Sequence, residues 1–213
     1  MGDYTFLHQL NIVIHVTSGT AALLLGLVAL LSQKGGRVHQ KSGLIFLFLI
    51  ALVILTALVG VFAFGANGFL LALTMLSGYQ AFSGYRVVKS KSNKPKTLDI
   101  LVALLTLSSG LYFLYYFDSI GMIWSPVIIY STVGALFIII AYDFLRYLIN
   151  AERYKNIWLY EHIYKMIAAF TALLAAFVGT VFPQYHPYSQ FLPSIFGSVL
   201  AIGSILYFRR KRS

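Results

Sequence analysis

The chain contains no cysteine, which rules out disulfides, thiolate metal sites, iron–sulfur clusters and a cysteine nucleophile. Any metal or haem iron would have to be held by His, carboxylate, Met or Tyr. Charge is also scarce: Asp, Glu, Lys and Arg make up 10% of the 213 residues, and only six of these are acidic. With 59% hydrophobic residues and a mean hydropathy of +0.81, a water-soluble globule could not hide its apolar surface. The bilayer is therefore the expected solvent and partner. The polar breaks are too short to hold a soluble domain, so residues 1–213 are expected to form a single membrane domain.

Other absences narrow the chemistry. No Lys or Arg precedes Lys34, so the basic start of a cleaved signal peptide is missing and the first hydrophobic run is expected to remain as a helix. There is no Walker A loop, no GxGxxG and no GxSxG elbow. There is also no HExxH or HxxxH pair, so a membrane-embedded metal-dependent hydrolase would have to assemble its two His and a carboxylate from separate helices. The last apolar run, Phe191 to Phe208, lacks a Lys for a retinal Schiff base, which excludes a rhodopsin. The net charge of +10 comes from short basic clusters between apolar runs rather than from a recognition helix, so nucleic acid is not an expected partner.

What remains is a succession of apolar runs: Ile12 to Leu31, Gly43 to Phe64, Phe69 to Tyr85, Leu98 to Phe117, Met122 to Tyr142, Trp158 to Phe182 and Phe191 to Phe208. The weakest break is Gly65-Ala66-Asn67-Gly68, but Gly43 to Tyr85 as one helix would be about 64 Å long, roughly twice a hydrocarbon core. A hairpin is expected there. The sequence thus reads as an all-α integral membrane bundle of seven transmembrane helices. Basic residues near short loops stay in the cytoplasm, and a seven-helix reading puts all sixteen Lys and Arg on one side, from Lys34 to the tail Arg209, Arg210, Lys211 and Arg212. The N terminus is then outside and the C terminus cytoplasmic. Trp124 and the Tyr112, Tyr115, Tyr116 group would anchor the outer interface, and Tyr154, Trp158 and Tyr160 the inner one. The Lys-rich stretch Ser90 to Thr97, with Pro95, reads as a flexible linker.

Ionisable groups inside a membrane are costly and so become candidates for function. His8, His15 and His186 form an outer group; His39 and His162 lie near the inner interface. Below His15, Gly19, Ala22 and Gly26 make a small-residue stripe that suits close helix packing or a flat macrocycle beside a His ligand. Asp143 and Arg146 are spaced i, i+3 and Glu161 and Lys165 i, i+4, the spacings of ordinary helix ion pairs that can reach headgroup water. The candidate cofactor residues are His15, His39 and His162; the candidate metal ligands are His39, His162 and Asp143; the group they would take is haem b or a divalent metal. His15 and His39 lie near opposite ends of a helical hairpin, on the order of 25 Å apart, so they belong to separate sites. No residue is assigned a catalytic role. The residues thus point to a His-ligated haem- or metal-binding membrane redox protein; the alternatives are the hydrolase above and a small-solute transporter, whose cavity Thr56, Gly60, Ser77, Gln80, Ser108 and Ser109 would line.

His15 with Gly19, then Lys34-Gly35, His39 and Gly43, resembles the start of a family of bacterial polytopic membrane proteins of unknown function. The later His162, Met166, Phe170, Pro193 and Gly197 are similar to the C-terminal part of its members. Members often carry Arg after the second His, where this chain has Gln40. The resemblance implies a bacterial inner (plasma) membrane protein with no assigned activity and singles out His15, His39 and His162. A second copy of the chain or a membrane-complex partner is compatible with this class.

Topology is tested by placing single cysteines in the naturally Cys-free chain. One at Ser92 is expected to escape an impermeant thiol reagent in intact cells, and one at Ser189 to be labelled; the reverse pattern would invert the orientation.

Overall fold

The computed structural model describes residues 2–65, 68–119 and 125–212. Ala66, Asn67, Met122 and Trp124, to which the sequence reading assigned a turn, a helix start and an anchor, lie outside the described residues, as do the side chains of Asp3 and Arg212. Among the described residues seven α-helices follow one another: α1 (Gly2–Leu31), α2 (Arg37–Phe64), α3 (Gly68–Ser90), α4 (Thr97–Ser119), α5 (Pro126–Leu145), α6 (Ala151–Val181) and α7 (Tyr188–Arg212). Short 3-10 turns, Arg146–Leu148 and Pro183–Tyr185, lead into α6 and α7. No strand occurs among the described residues.

Apolar runs report only the stretch that meets hydrocarbon, whereas backbone hydrogen bonding continues into the headgroup region. α1, α6 and α7 therefore extend beyond the apolar runs at one or both ends. Glycine sets two of the turns. Gly65 ends α2 in the left-handed region (φ +66°), its N–H returning to the carbonyls of Gly60 and Val61, and Gly35 (φ +78°) turns the chain between α1 and α2.

Among the described residues six helices are long and apolar enough to cross a membrane: α1, α2, α4, α5, α6 and α7. The chain is a multi-pass helical membrane protein. Phe48, Phe62, Leu105, Ile138 and Phe196 stand exposed on the outside of the bundle, as a lipid-facing surface requires. α3 differs for a structural reason: it packs on α6 most extensively and also on α2, α4 and α5, so little of it faces outward. A helix walled in by helices can carry polar groups. Ser77, Tyr79, Gln80 and Ser83 of α3 are all buried.

Small residues set the helix spacing. The stripe on α1 is filled by protein: Ala22 is fully buried, and a Cβ on Gly26 would lie 2.7 Å from Phe170 and 3.1 Å from Phe46. At Gly78 it would meet Ile54 at 2.3 Å, and at Gly84 Lys165 and Met166 at 3.0 and 3.1 Å. α3 thus lies close to α2 and α6 because these positions lack side chains. The loop after α3 is pinned rather than free: Asn93 is buried and its amide donates to the carbonyls of Arg146 and Ile149. Ser189 is buried, which would shield a reporter cysteine there. Exposed Gln184 in the same connection between α6 and α7 is the better position.

The contrast between two α7 glycines tests this packing. A Cβ on Gly197 would fall 2.2 Å from Thr171 Cγ2, whereas one on Gly203 meets nothing within 4 Å. Gly197→Ala is expected to cost roughly 1–3 kcal/mol. Gly203→Ala should leave thermal stability unchanged or raise it by up to about 1 kcal/mol, and unfolding of the purified protein in detergent measures both.

Candidate functional site

The loops 32–36, 91–96 and 146–150 and the end of α7 share one end of the bundle, which also carries the Lys and Arg clusters; it is termed here the basic end. Just inside it, α3, α5 and α6 meet around four charges: Asp143 near the end of α5, Arg146 at the start of the 3-10 turn that follows it, and Glu161 and Lys165 about two and three turns further along α6 than Tyr154. All four are buried, with Lys165 1% exposed. Lys165 Nζ donates to Asp143 Oδ1, to Glu161 Oε1 at 2.6 Å and to Ser83 Oγ at 2.7 Å. Arg146 Nη1 donates to Glu161 Oε1 at 2.5 Å and to the Tyr154 hydroxyl at 2.8 Å, and its Nε faces Asp143 Oδ1 at 3.6 Å. The remaining carboxylate oxygens are also occupied. Asp143 Oδ2 accepts from Tyr79 (2.9 Å) and Ser83 (2.7 Å), and Glu161 Oε2 from Tyr154 (2.7 Å) and Tyr142 (3.5 Å).

Two acids and two bases balance to zero charge. This is the condition under which ions can stay in an apolar interior. Aromatic faces add to the surroundings of the cations, with Arg146 5.3 Å from the Tyr147 ring centroid and Lys165 5.6 Å from that of Tyr142. A second pair adjoins the network: Arg86 grips Asp99 bidentately, Nε to Oδ1 at 2.6 Å and Nη2 to Oδ2 at 3.0 Å. Arg86, Asp99, Asp143 and Arg146 border a shared void of about 10 Å³, near the smallest that admits one water.

The sequence spacing identified the pairs within each helix but not their depth or their main partners. The spaced pairs exist, Arg146 with Asp143 and Lys165 with Glu161, but these charges do not reach headgroup water, and the strongest links run between helices. Tyr154, expected as an interface anchor, is 1% exposed and belongs to the network. Tyr79, Ser83 and the Arg86–Asp99 pair went unnoticed because nothing in a sequence says which helix lies beside which. The one available signal was the clustering of Ser, Tyr, Gln and Arg on α3.

The histidines separate by depth. His39 and His162 are brought together, their ring centroids 6.5 Å apart and their planes at 84°. His39 Nδ1 lies 2.9 Å from the Ala29 carbonyl and His162 Nδ1 3.0 Å from that of Gly84. A carbonyl only accepts, so each Nδ1 carries a proton, which leaves Nε2 as the lone-pair nitrogen of the neutral ring. Gly84 lets this happen by admitting α6 close to α3. His15 lies elsewhere, its Nδ1 2.9 Å from Thr56 Oγ1. The Thr56 proton is directed to Leu52 O at 2.9 Å, so the hydroxyl accepts from His15. His39 and Thr56 are both on α2, about 25 Å apart along its axis. His8 stacks on Phe64 at 4.7 Å, and His186 Nε2 lies 2.7 Å from Gly179 O. Asp143, grouped with His39 and His162 in the sequence reading, uses both oxygens within the ion network. Among the described residues no group of three or more His, Asp or Glu could hold a metal.

Removing one member of the network should be costly. Lys165→Met leaves Asp143 and Glu161 facing a single Arg146 and is expected to lower stability by about 3–5 kcal/mol. Adding Asp143→Asn restores a neutral Glu161–Arg146 pair and should recover much of the loss; thermal unfolding of the single and double variants compares them. No protein-family model, no curated protein and no solved structure matches the chain.

Proposed function

We propose that this is a protein of the cell inner membrane in which all seven helices cross, with the N terminus outside and the C terminus in the cytoplasm, and that His39 and His162 hold one redox metal centre at the cytoplasmic end. The gathering of the basic clusters at one end of the bundle supports the orientation. Membership of the bacterial family suggested by His15, His39 and His162 is part of the same proposal.

The observation that carries the metal centre is the paired rings. Each Nδ1–H is fixed by a backbone carbonyl, the arrangement that orients a metal-ligating His and leaves Nε2 to bind. A centroid separation of 6.5 Å is one that two nitrogens, each about 2 Å from one ion, can span. Two imidazole ligands suit a transition metal, either as a bare ion completed by other ligands or as haem b iron. Electron transfer fits such a centre better than hydrolysis. A hydrolase needs a carboxylate free to act as base, and Asp143 and Glu161 are both engaged. An electron-transfer role also calls for a membrane partner, a complex or a second copy.

A second reading, a small-solute transporter driven by protons, is favoured by the ionisable groups buried between α3, α5 and α6 and by the void joining them to Arg86 and Asp99.

Metal analysis and oxidised-minus-dithionite-reduced absorption of the protein extracted from membranes decide between them. The expected result is a stoichiometric metal, with a Soret band if it is haem, lost in His39→Ala and in His162→Ala and kept in His15→Ala. Absence of both metal and chromophore, or their retention in the His39 and His162 variants, would sink the redox reading.

A further inference from the structure

Beyond the polar site, the basic ends of α1 and α7 stand apart. α7 packs on α6, and α1 on α2 and α6, leaving a groove of about 770 Å³ between the two terminal helices. That is within the size range of small-molecule sites, roughly 300–1,000 Å³. Its wall is apolar along α7, through Phe196 and Val199, both well exposed, and along the end of α1 at Leu31. Its upper rim is cationic, with Lys34 on one side and Lys211 on the other. Lys34 is tethered there, its Nζ donating to the carbonyls of Ala29 and Leu30 at the end of α1. Among the described residues no acidic side chain lines the groove.

We propose that this groove binds an anionic phospholipid, with an acyl chain along α7 and the phosphate between Lys34 and Lys211. Charge and polarity select this occupant. α1 and α7 are both long and apolar enough to cross the membrane, so the groove opens sideways onto acyl chains, and an amphiphile with a negative head matches an apolar trough under two cations. A second copy of the chain is a poorer match, because its own basic end would bring Lys and Arg against Lys34 and Lys211. The groove does not involve His39 or His162, so metal content should be the same in every variant below.

Native mass spectrometry of the full chain in detergent tests this with phosphatidylglycerol and phosphatidylcholine of identical acyl chains. The wild type should retain phosphatidylglycerol about tenfold more tightly, because each lysine near the headgroup adds attraction for the anionic lipid alone. The double variant Lys34→Gln with Lys211→Gln should lose that preference while still binding lipid weakly. Gly203→Leu places its side chain in open space within the groove and should displace both lipids while leaving the melting temperature near that of the wild type. Equal retention of the two lipids by the wild type would overturn the proposal. So would a preference unchanged in either variant, or a dimer that Gly203→Leu dissolves, which would assign the groove to a second copy.

Discussion

The arrangement at the basic end depends on one constraint: four charges that sit between helices, away from water, must neutralise each other and satisfy each other's hydrogen-bonding capacity. Asp143, Arg146, Glu161 and Lys165 meet it with the hydroxyls of Ser83, Tyr79 and Tyr154, which fill the carboxylate positions the cations leave; the exception is Arg146 Nε, which faces Asp143 Oδ1 at 3.6 Å without a hydrogen bond. Buried ion pairs seldom add net stability relative to an apolar core. They do penalise any other arrangement, because a shifted helix would strand a charge in low dielectric. The register of α5 and α6 against α3 is therefore set by electrostatics as much as by packing.

That constraint explains the composition of α3. A helix that receives a carboxylate and an ammonium from its neighbours needs hydroxyls at those depths and small residues between them. Ser77, Gly78, Tyr79, Ser83 and Gly84 supply both. The cost is low hydropathy, which a helix enclosed by α2, α4, α5 and α6 can bear. The same closeness at Gly84 puts its carbonyl within reach of His162. The histidine pair and the ion network are thus two results of one tight contact between α3 and α6.

The terminal helices show the opposite regime. α1 is held to α2 by Gly26, Ala22 and the His15–Thr56 and Asn11–Thr56 hydrogen bonds, and α7 to α6 by Gly197 seated on Thr171. Their basic ends stand apart, with the groove between them. Tight polar contact between α3, α5 and α6 and an open apolar groove at the edge of the bundle thus occur in one chain.

Length and hydropathy by themselves determined that the chain is helical and membrane-embedded, and roughly where its helices run, because the bilayer thickness and the need to satisfy backbone groups allow few alternatives. The helix-spaced pairs Asp143–Arg146 and Glu161–Lys165 and the separation of His15 from His39 were also legible, since both follow from positions along one or two helices. The tertiary structure alone decided that those charges are buried, that Tyr154 joins them, that Arg86 finds Asp99, that Asn93 pins its loop and that the helices carrying His39 and His162, grouped by depth in the sequence, bring the two rings into contact. All of these are contacts between helices. Hydrophobic periodicity shows which residues avoid water but not which helix stands beside which, and in a membrane even the first clue fades, because the outside is as apolar as the core.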